Sequence, residues 1–164
     1  MATLTEKSRF HKIDGMRKIV LILSLSLMAL LLSLEGGRAE KPPAHRTVTL
    51  PSGRQIDAEV ADTPAAREKG LMFRDTLAEE AGMLFIFQQA APHSFWMKNC
   101  KFPIDIIWMN DQKEIVYLAE NTPPCKSDPC PIYGPRSGKA LYVLEVVSGL
   151  AQKEKMKPGM AIQF

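Results

Sequence analysis

The sequence predicts a mainly-β domain, a compact antiparallel β-sandwich or small barrel with one or two short helices. Two observations support this prediction. Short apolar runs alternate with turn residues throughout residues 47–164, and only two segments carry helix signals, both of them short. In addition, all twelve prolines lie from Pro42 onward, and none interrupts the strongest apolar runs. This pattern is typical of many short strands joined by tight turns.

The individual elements are predicted from local signals. Thr63 as N-cap, Pro64 at the first helical position and Gly70 as a stop predict a two-turn helix over 64–69. A second short helix is expected at 150–156. Strands are expected where apolar runs are bounded by turn residues, namely at 48–50, 56–60, 83–87, 95–97, 104–109, 114–118, 141–147 and 162–164.

The first 39 residues have the anatomy of a secretory signal peptide. An uncharged run of sixteen residues, 19–34, follows Arg17 and Lys18 and precedes a small-x-small exit that ends at Ala39. As a helix this run would be about 24 Å long, short of the roughly 30 Å hydrocarbon core. We therefore expect cleavage after Ala39, with an uncleaved N-terminal membrane anchor as the alternative. Met16 is an alternative start, because Met-Arg-Lys leads directly into the apolar run.

The charge distribution excludes one class of partner. Residues 1–39 contain six Lys and Arg against three Asp and Glu, whereas residues 40–164 contain fifteen of each. The net charge of +3 therefore belongs to the leader, and the rest of the chain has no positive field that would attract nucleic-acid phosphates. After a short linker at 40–46, we expect residues 47–164 to form one domain. This domain would be periplasmic or secreted, and would meet a membrane only through an uncleaved leader.

The cysteine spacing predicts one disulfide. Cys125 and Cys130 lie five positions apart in a proline-rich segment of an exported domain, where disulfides persist. The alternatives are a redox-active pair, although the spacing is not that of thioredoxin-like centres, and a zinc site, which needs four ligands. Cys100 is expected to be a buried small hydrophobic residue, with a nucleophile activated by His93 as the alternative. Neither a metal nor a cofactor is predicted.

Five sequence blocks resemble one known family. In chain order they are Gly70–Arg74, Gly82–Phe87, Phe95–Asn99, Pro103–Ile106 and Tyr142–Val146. These blocks are similar to those of the domain of unknown function 192 family, over about residues 47–164. The resemblance implies a mainly-β fold, in agreement with the strand signals, and it implies no established biochemical activity. One departure is Cys100, where members of the family commonly carry threonine.

Several polar or aromatic side chains lie within or beside the apolar runs. The candidate ligand-binding residues are Arg74, Trp96, Lys98, Asn99, Asp105, Tyr133 and Glu145. For Asp105 and Glu145 three interpretations stay open. Strand alternation points them to water, or an ion pair with Lys98 fixes a sheet crossing, or they line a ligand pocket. Such a pocket would have apolar walls beside Trp96 and Tyr133.

The motif content favours binding over catalysis. The sequence has no phosphate-binding glycine loop, no H-E-x-x-H and no G-x-S-x-G motif. The predicted function is therefore a non-catalytic accessory module of the cell envelope that binds a small molecule, a glycan or an envelope protein. The alternative is a hydrolase-like periplasmic enzyme that uses Asp105, Glu145 and Lys98, which requires the two carboxylates to share a cleft. Arg74 is expected to anchor a loop rather than to bind an anion.

Overall fold

The computed structural model describes residues 42–164, and the predicted signal peptide, its cleavage after Ala39 and the alternative start at Met16 lie outside them. Within the described residues, no helix is both long and apolar enough to cross a membrane. The helices are α1 (Pro64–Lys69) and α2 (Leu150–Lys153). The strands are β1 (His45–Thr49), β2 (Gln55–Ala61), β3 (Ala81–Ala91), β4 (Phe95–Trp96), β5 (Ile104–Met109), β6 (Ile115–Thr122), β7 (Ile132–Tyr133) and β8 (Ala140–Val147).

The mainly-β prediction is confirmed, with 42% of residues 42–164 in strands and 8% in helices. Six strands form a large sheet in the order β1-β2-β3-β8-β5-β6, and β4 pairs with β7 in a small second sheet. The large sheet is not closed into a barrel. It is also mixed rather than purely antiparallel, because β2 and β3 run parallel. The connection from Ala61 to Ala81 carries α1 and is long enough for the crossover that a parallel pair needs.

Local signals place several elements well. The Thr63 hydroxyl accepts a hydrogen bond from the Ala66 amide at 3.1 Å, and Gly70 ends α1 with a φ of 48°. Strand β5 has the predicted bounds. In place of the strand expected at 162–164, the structure has an isolated bridge between Thr49 and Gln163. The sequence does not predict β7, because this strand has only two residues and lies among prolines.

Both faces of the large sheet are covered. We call one the helix face, because α2 and the C-terminal segment pack on it; it carries Ile56, Leu84, Ile107, Met109, Leu144 and Val146. We call the other the loop face; it carries Met83, Phe85, Ile106, Trp108 and Val143. The small sheet packs on the loop face through Phe95, whose ring lies 4.9 Å from that of Phe85 and 5.7 Å from that of Trp108. Strand β5 is therefore buried on both sides, whereas residues 88–90 near the end of β3 are exposed.

Asp105 is buried on the helix face, and both of its carboxylate oxygens accept backbone hydrogen bonds. Oδ1 accepts from the Asn121 amide at 2.7 Å, and Oδ2 accepts from the Ala151 amide at 2.8 Å. The carboxylate thus joins the end of β6 to the first turn of α2, whose N-cap residue Gly149 has no side chain for this purpose. The expectation that strand alternation points Asp105 to water is wrong, because α2 covers that side of β5.

Candidate functional site

A row of side chains crosses the loop face from strand to strand. Glu59 on β2 pairs with Met83 on β3, Met83 pairs with Glu145 on β8, and Glu145 pairs with Ile106 on β5. Directly paired residues place their side chains on the same face of a sheet. Glu59 and Glu145 therefore share the loop face, with one strand between them and about 10 Å between their Cα atoms.

Two loops meet above this row. The amide of Phe73, in the loop after α1, donates to the carbonyl of Asn99, in the loop after β4, at 2.9 Å. Phe73 and Asn99 both have left-handed backbones, with φ values of 66° and 56°. A left-handed backbone costs a bulky aromatic residue about 1–3 kcal/mol, so surrounding contacts must hold it. Leu71 and Met97, two residues before Phe73 and Asn99, are buried in the core of the loop face and tie the two loops to it.

Arg74 connects the first of these loops to β2. Its Nη1 donates to Oε1 of Glu59, and its Nη2 donates to Oε2 at 2.7 Å. This two-pronged geometry is the strong form of an ion pair. The hydrogen bond to Arg74 is the main reason that the pKa of Glu59 is lowered, and the same bond raises the pKa of Arg74. Arg74 anchors the loop, while a third of its side chain stays exposed.

Glu145 is the unusual group of the row. Its side chain is 5% exposed, and its Oε2 has no hydrogen-bond partner among the described residues. Burial raises the pKa of Glu145 to about 8, although the positive charge of Arg74 acts in the opposite direction. At neutral pH this carboxyl group therefore mostly carries its proton. A protonated carboxyl group can donate as well as accept a hydrogen bond, and Oε2 has no partner of either kind in the hydrogen bonds of residues 42–164.

Cys100 lies beside Glu145 and is a poor nucleophile. Burial, followed by the charge of Glu145, raises the pKa of the Cys100 thiol to about 11. The thiolate, which is the reactive form, is therefore scarce at neutral pH. His93, the base considered for Cys100, places Nε2 3.1 Å from the carbonyl of Gln89 and stacks its ring on Phe87. The structure thus gives the nucleophile interpretation no activating contact from His93.

Asp105 and Glu145 lie on opposite faces of the sheet. Asp105 pairs with Val146, the residue after Glu145, and successive residues of a strand point to opposite sides. The single cleft that the hydrolase alternative requires does not form. For Glu145 too, the expectation of exposure is wrong, because the two loops cover the loop face.

Lys98 and Trp96 belong to a different part of the surface. Lys98 pairs with Asp128 at 3.2 Å and lies 5.4 Å from the centre of the Trp96 ring, so the expected ion pair with Asp105 or Glu145 is absent from the described residues. Trp96 is opposite exposed Ile132 in the small sheet, whereas Tyr133 is opposite inward-facing Phe95. Trp96 and Tyr133 consequently point to opposite sides of this sheet, and do not line one pocket.

The structure contains the predicted disulfide between Cys125 and Cys130, with their Cα atoms 5.5 Å apart. Its loop is tied to the segment after β4, because the Cys125 amide donates to the carbonyl of Met97 at 3.1 Å. The carboxylate of Asp128 lies near both sulfurs, which would otherwise suggest a metal site. With both thiols in the bond, neither is free to bind a metal as thiolate.

The disulfide gives the protein a simple chemical signature. In denaturant without reductant, we expect alkylation to add one label per chain, on Cys100, whereas prior reduction should give three. The Cys125→Ser variant is the matched control and should take two labels without reductant, because Cys130 is then unpaired. Peptide mass spectrometry reads out the labelled positions. Three labels on the unreduced wild-type protein would contradict the pairing.

The residues that sequence reasoning missed are Glu59 and the neighbours of Glu145. Glu59 reads as an ordinary polar position of a half-exposed strand, and no local signal distinguishes it. Its pairing with Arg74 depends on β2 and the loop after α1 meeting in space.

A shallow cavity of about 400 Å³ lies elsewhere, near the end of β8, and contains none of the predicted site residues. It is lined by Leu77, Glu79, Val147, Ser148, Gly149, Leu150 and Lys153.

Comparison with known proteins gives consistent matches of fold and sequence. A family model described as uncharacterized ACR, DUF192, matches residues 47–164. A solved structure from Sinorhizobium meliloti, provisionally described as a transcription regulator, is 33% identical with a TM-score of 0.69, covering 76% of this chain and 97% of that chain. A Novosphingobium aromaticivorans protein of unknown function is 32% identical with a TM-score of 0.66, covering 77% and 89%. No functionally curated protein matches the chain.

Proposed function

The chain belongs to the domain of unknown function 192 family, and we propose that its folded domain is a non-catalytic ligand-binding module of the cell envelope. The observation that carries this proposal is the carboxyl group of Glu145, which is buried and has no partner at Oε2 among residues 42–164. An unpaired buried polar group costs about 1–3 kcal/mol of stability. Each buried unsatisfied polar group in a native structure needs an explanation, and a partner supplied by a bound ligand would explain this one.

The place of Glu145 in the fold supports a site rather than an isolated defect. Arg74, in the loop after α1, and Cys100, in the loop after β4, lie close enough to Glu145 for the charge of Arg74 to lower the pKa of Glu145 and for an ionised Glu145 to raise that of Cys100. The backbone hydrogen bond between Phe73 and Asn99 holds the two loops together. Polar groups from three separate segments thus converge above an otherwise apolar sheet face, as they do in small-molecule sites.

The chemistry of the same groups favours binding over catalysis. A thiol with a pKa of about 11 is not ionised near neutral pH, so Cys100 is not an activated nucleophile. The two carboxyls of the hydrolase alternative face opposite sides of the sheet, and Asp105 already has a structural role there. No observation on the described residues favours an enzyme.

The location outside the cytoplasm is part of the proposal. It is supported by the signal-peptide anatomy of residues 1–39 and by the disulfide, which persists in oxidising compartments.

The transcription-regulator role provisionally given to the Sinorhizobium meliloti relative is not part of the proposed function. Residues 40–164 have equal numbers of acidic and basic side chains, and so lack the net positive charge that DNA phosphates attract.

Binding at this site is testable with three small probes of different chemistry. Acetate, acetamide and glucose are titrated separately into the ¹⁵N-labelled protein, and the amide shifts of residues 72–75, 98–101 and 144–146 are followed. We expect at least one probe to give saturable shifts at these positions, and Glu145→Ala to weaken that binding at least tenfold. The exposed variant Glu120→Gln is the control and should bind like the wild type. If none of the three probes gives saturable shifts there, the proposal is wrong.

A further inference from the structure

We propose that the small sheet carries a second binding surface, which attaches the domain to an anionic lipid bilayer through Trp96 and Ile132. This inference goes beyond the proposed function, because it concerns a part of the surface to which Glu145 does not belong. From the sequence we expect contact with a membrane only through an uncleaved leader, so the proposed attachment is an addition to that expectation. It follows from the exposed side chains of the small sheet, the charge around them and the size of the surface that they form.

Two large apolar side chains of the small sheet point into solvent. Trp96 on β4 and Ile132 on β7 are directly paired, which places them on the same side of the sheet. Trp96 is 47% exposed and Ile132 is 73% exposed. The opposite side of the sheet is fixed to the core through Phe95. Apolar side chains that are exposed singly need no explanation, whereas two adjacent ones on an anchored sheet indicate an interaction surface.

The positive charge of the domain is concentrated in the segments around these two side chains. Residues 93–102 and 123–139, which contain β4 and β7, have five Lys and Arg against one Asp. The rest of residues 42–164 has nine Lys and Arg against thirteen Asp and Glu. The neutral total therefore hides a positive region and a negative remainder. The basic side chains of the positive region are Lys98, Lys101, Lys126, Arg136 and Lys139.

Backbone contacts hold these basic segments beside β4. The Cys125 amide, at the start of the disulfide loop, donates to the carbonyl of Met97 at 3.1 Å. After β7 the chain runs so close to the start of β4 that a Cβ atom on Gly134 would lie 3.0 Å from the carbonyl oxygen of His93. The disulfide loop and the segment after β7, which carry three of the basic side chains, therefore adjoin the small sheet.

These same three basic side chains are available to an anionic partner. Lys98 and Lys101 each pair with an aspartate. Lys126, Arg136 and Lys139 are exposed, and none of them forms an ion pair among residues 42–164. The headgroups of an anionic bilayer attract Lys and Arg side chains near its surface. The small sheet and its flanking segments thus combine the two elements of peripheral membrane binding, which are exposed apolar side chains and unpaired basic ones.

The size of the apolar pair favours a bilayer over a protein partner. A stable protein interface buries about 800 Å² on each side and involves roughly twenty residues or more. The exposed apolar part of this surface consists of Trp96 and Ile132. A bilayer needs no complementary surface, because its acyl chains adapt to the side chains that enter them while its headgroups attract the basic residues. Two apolar side chains are therefore enough for a bilayer and too few for a stable protein interface.

Trp96 itself suits the boundary between water and acyl chains. Tryptophan is enriched at the headgroup level of membranes, because its ring is apolar while its N–H binds polar groups. The ammonium group of Lys98 lies 5.4 Å from the centre of the Trp96 ring. Lysine side chains can cover apolar surface with their stems while their charge stays in water. A sugar stacked on Trp96, by contrast, would have to share the ring with Lys98.

The experiment measures whether Trp96 reaches the acyl chains of a bilayer. The full chain is mixed with vesicles of brominated phosphatidylcholine, with or without one quarter phosphatidylglycerol, because bromine quenches tryptophan fluorescence on close contact. Trp108, the other tryptophan, is buried, so the quenching reports on Trp96. The apolar run of residues 19–34 can bind lipid by itself, so quenching rather than vesicle binding is the readout.

The quenching should depend on charge as well as on apolar contact. In the wild type we expect it to be about threefold stronger in anionic than in neutral vesicles, and replacement of the three unpaired basic side chains by glutamine should remove this difference. The matched control removes three positive charges from exposed positions outside these segments, through Arg46→Gln, Lys155→Gln and Lys157→Gln, and should be quenched like the wild type. Ile132→Ser should reduce the quenching about twofold, and Trp96→Phe should abolish it.

The possible results distinguish a bilayer from other partners. If anionic vesicles leave Trp96 unquenched, the bilayer assignment is wrong, and a shift of the Trp96 emission by poly-L-glutamate would then assign the surface to an acidic protein segment. Quenching that is equal in neutral and anionic vesicles, or equal in the charge variant and the wild type, would also contradict the proposal. Thermal melts establish that each variant is folded before its quenching is compared.

Discussion

Replacement of Glu145 by glutamine should make the protein more stable than the wild type at pH 9, and should leave its stability nearly unchanged at pH 5. The reason is that ionising Glu145 in its buried site is unfavourable, as its raised pKa of about 8 indicates. In the unfolded chain the same carboxyl ionises near its ordinary value of 4.5. Glutamine has nearly the same shape and never ionises, so it removes this cost.

The direction of the pH dependence follows from the two pKa values. Between pH 4.5 and about 8 the folded protein holds the Glu145 proton and the unfolded chain has lost it. The free energy of unfolding of the wild type therefore decreases as the pH rises through this range, and is constant again above it. The full effect is on the order of 5 kcal/mol, from the size of the pKa shift.

Urea unfolding of both proteins at pH 5, 7 and 9 measures the effect. The difference between Glu145→Gln and the wild type isolates Glu145, because all other titrating groups are shared. Glu120→Gln, on an exposed strand position, controls for the loss of one negative charge and should give a difference that is small at every pH. A wild-type stability that stays parallel to that of Glu145→Gln from pH 5 to 9 would show that Glu145 is not buried as an acid.

Replacement of Asp105 by alanine should destabilise the domain on the order of 3 kcal/mol. Asp105 accepts hydrogen bonds from the amides of Asn121 and Ala151, and Ala151 is itself buried. Without the carboxylate, the Ala151 amide loses its acceptor where water does not reach it. The first turn of α2 then loses its side-chain hydrogen bond, and its contact with the end of β6 loosens.

Two measurements test this structural role. Urea unfolding gives the loss of stability. Amide hydrogen exchange in Asp105→Ala should be faster than in the wild type at Ala151 and Asn121, and should change less in the middle of β3. Asp111→Ala, an exposed aspartate in the turn before β6, is the matched control, and a change within 0.5 kcal/mol is expected there. If Asp105→Ala also stayed within that range, the carboxylate would not be holding α2 to the sheet.

Much of the local structure could be predicted from the sequence, because its causes are local. The limits of α1 follow from Thr63, Pro64 and Gly70, which act on their own backbone and the next turn. Strand β5 is bounded by Pro103 and Asn110, and its apolar residues exclude other local structures. The Cys125–Cys130 pair needed only a short spacing and a turn.

The candidate site could be predicted only in part. The sequence marks Arg74 and Glu145 as polar residues beside apolar runs. It does not show that Arg74 lies close enough to Glu145 for its charge to act on the carboxyl group. Alternation correctly separates the two sides of a strand, and it separates Asp105 from its neighbours in β5. It does not say which sides are covered, and in this domain α2 covers one face while two loops cover the other.

The sequence by itself therefore determined the mainly-β class, the short helices, the loop disulfide and the polar residues that merit attention. The tertiary structure alone decided that β2 and β3 run parallel, that Glu59 and Glu145 share a row, and that Asp105 lies on the opposite face. The physical reason is that strand register and coverage are relations between segments far apart in the chain. Neither the register of two strands nor the covering of a sheet face can be read from the residues that neighbour Glu59, Asp105 or Glu145 in the sequence.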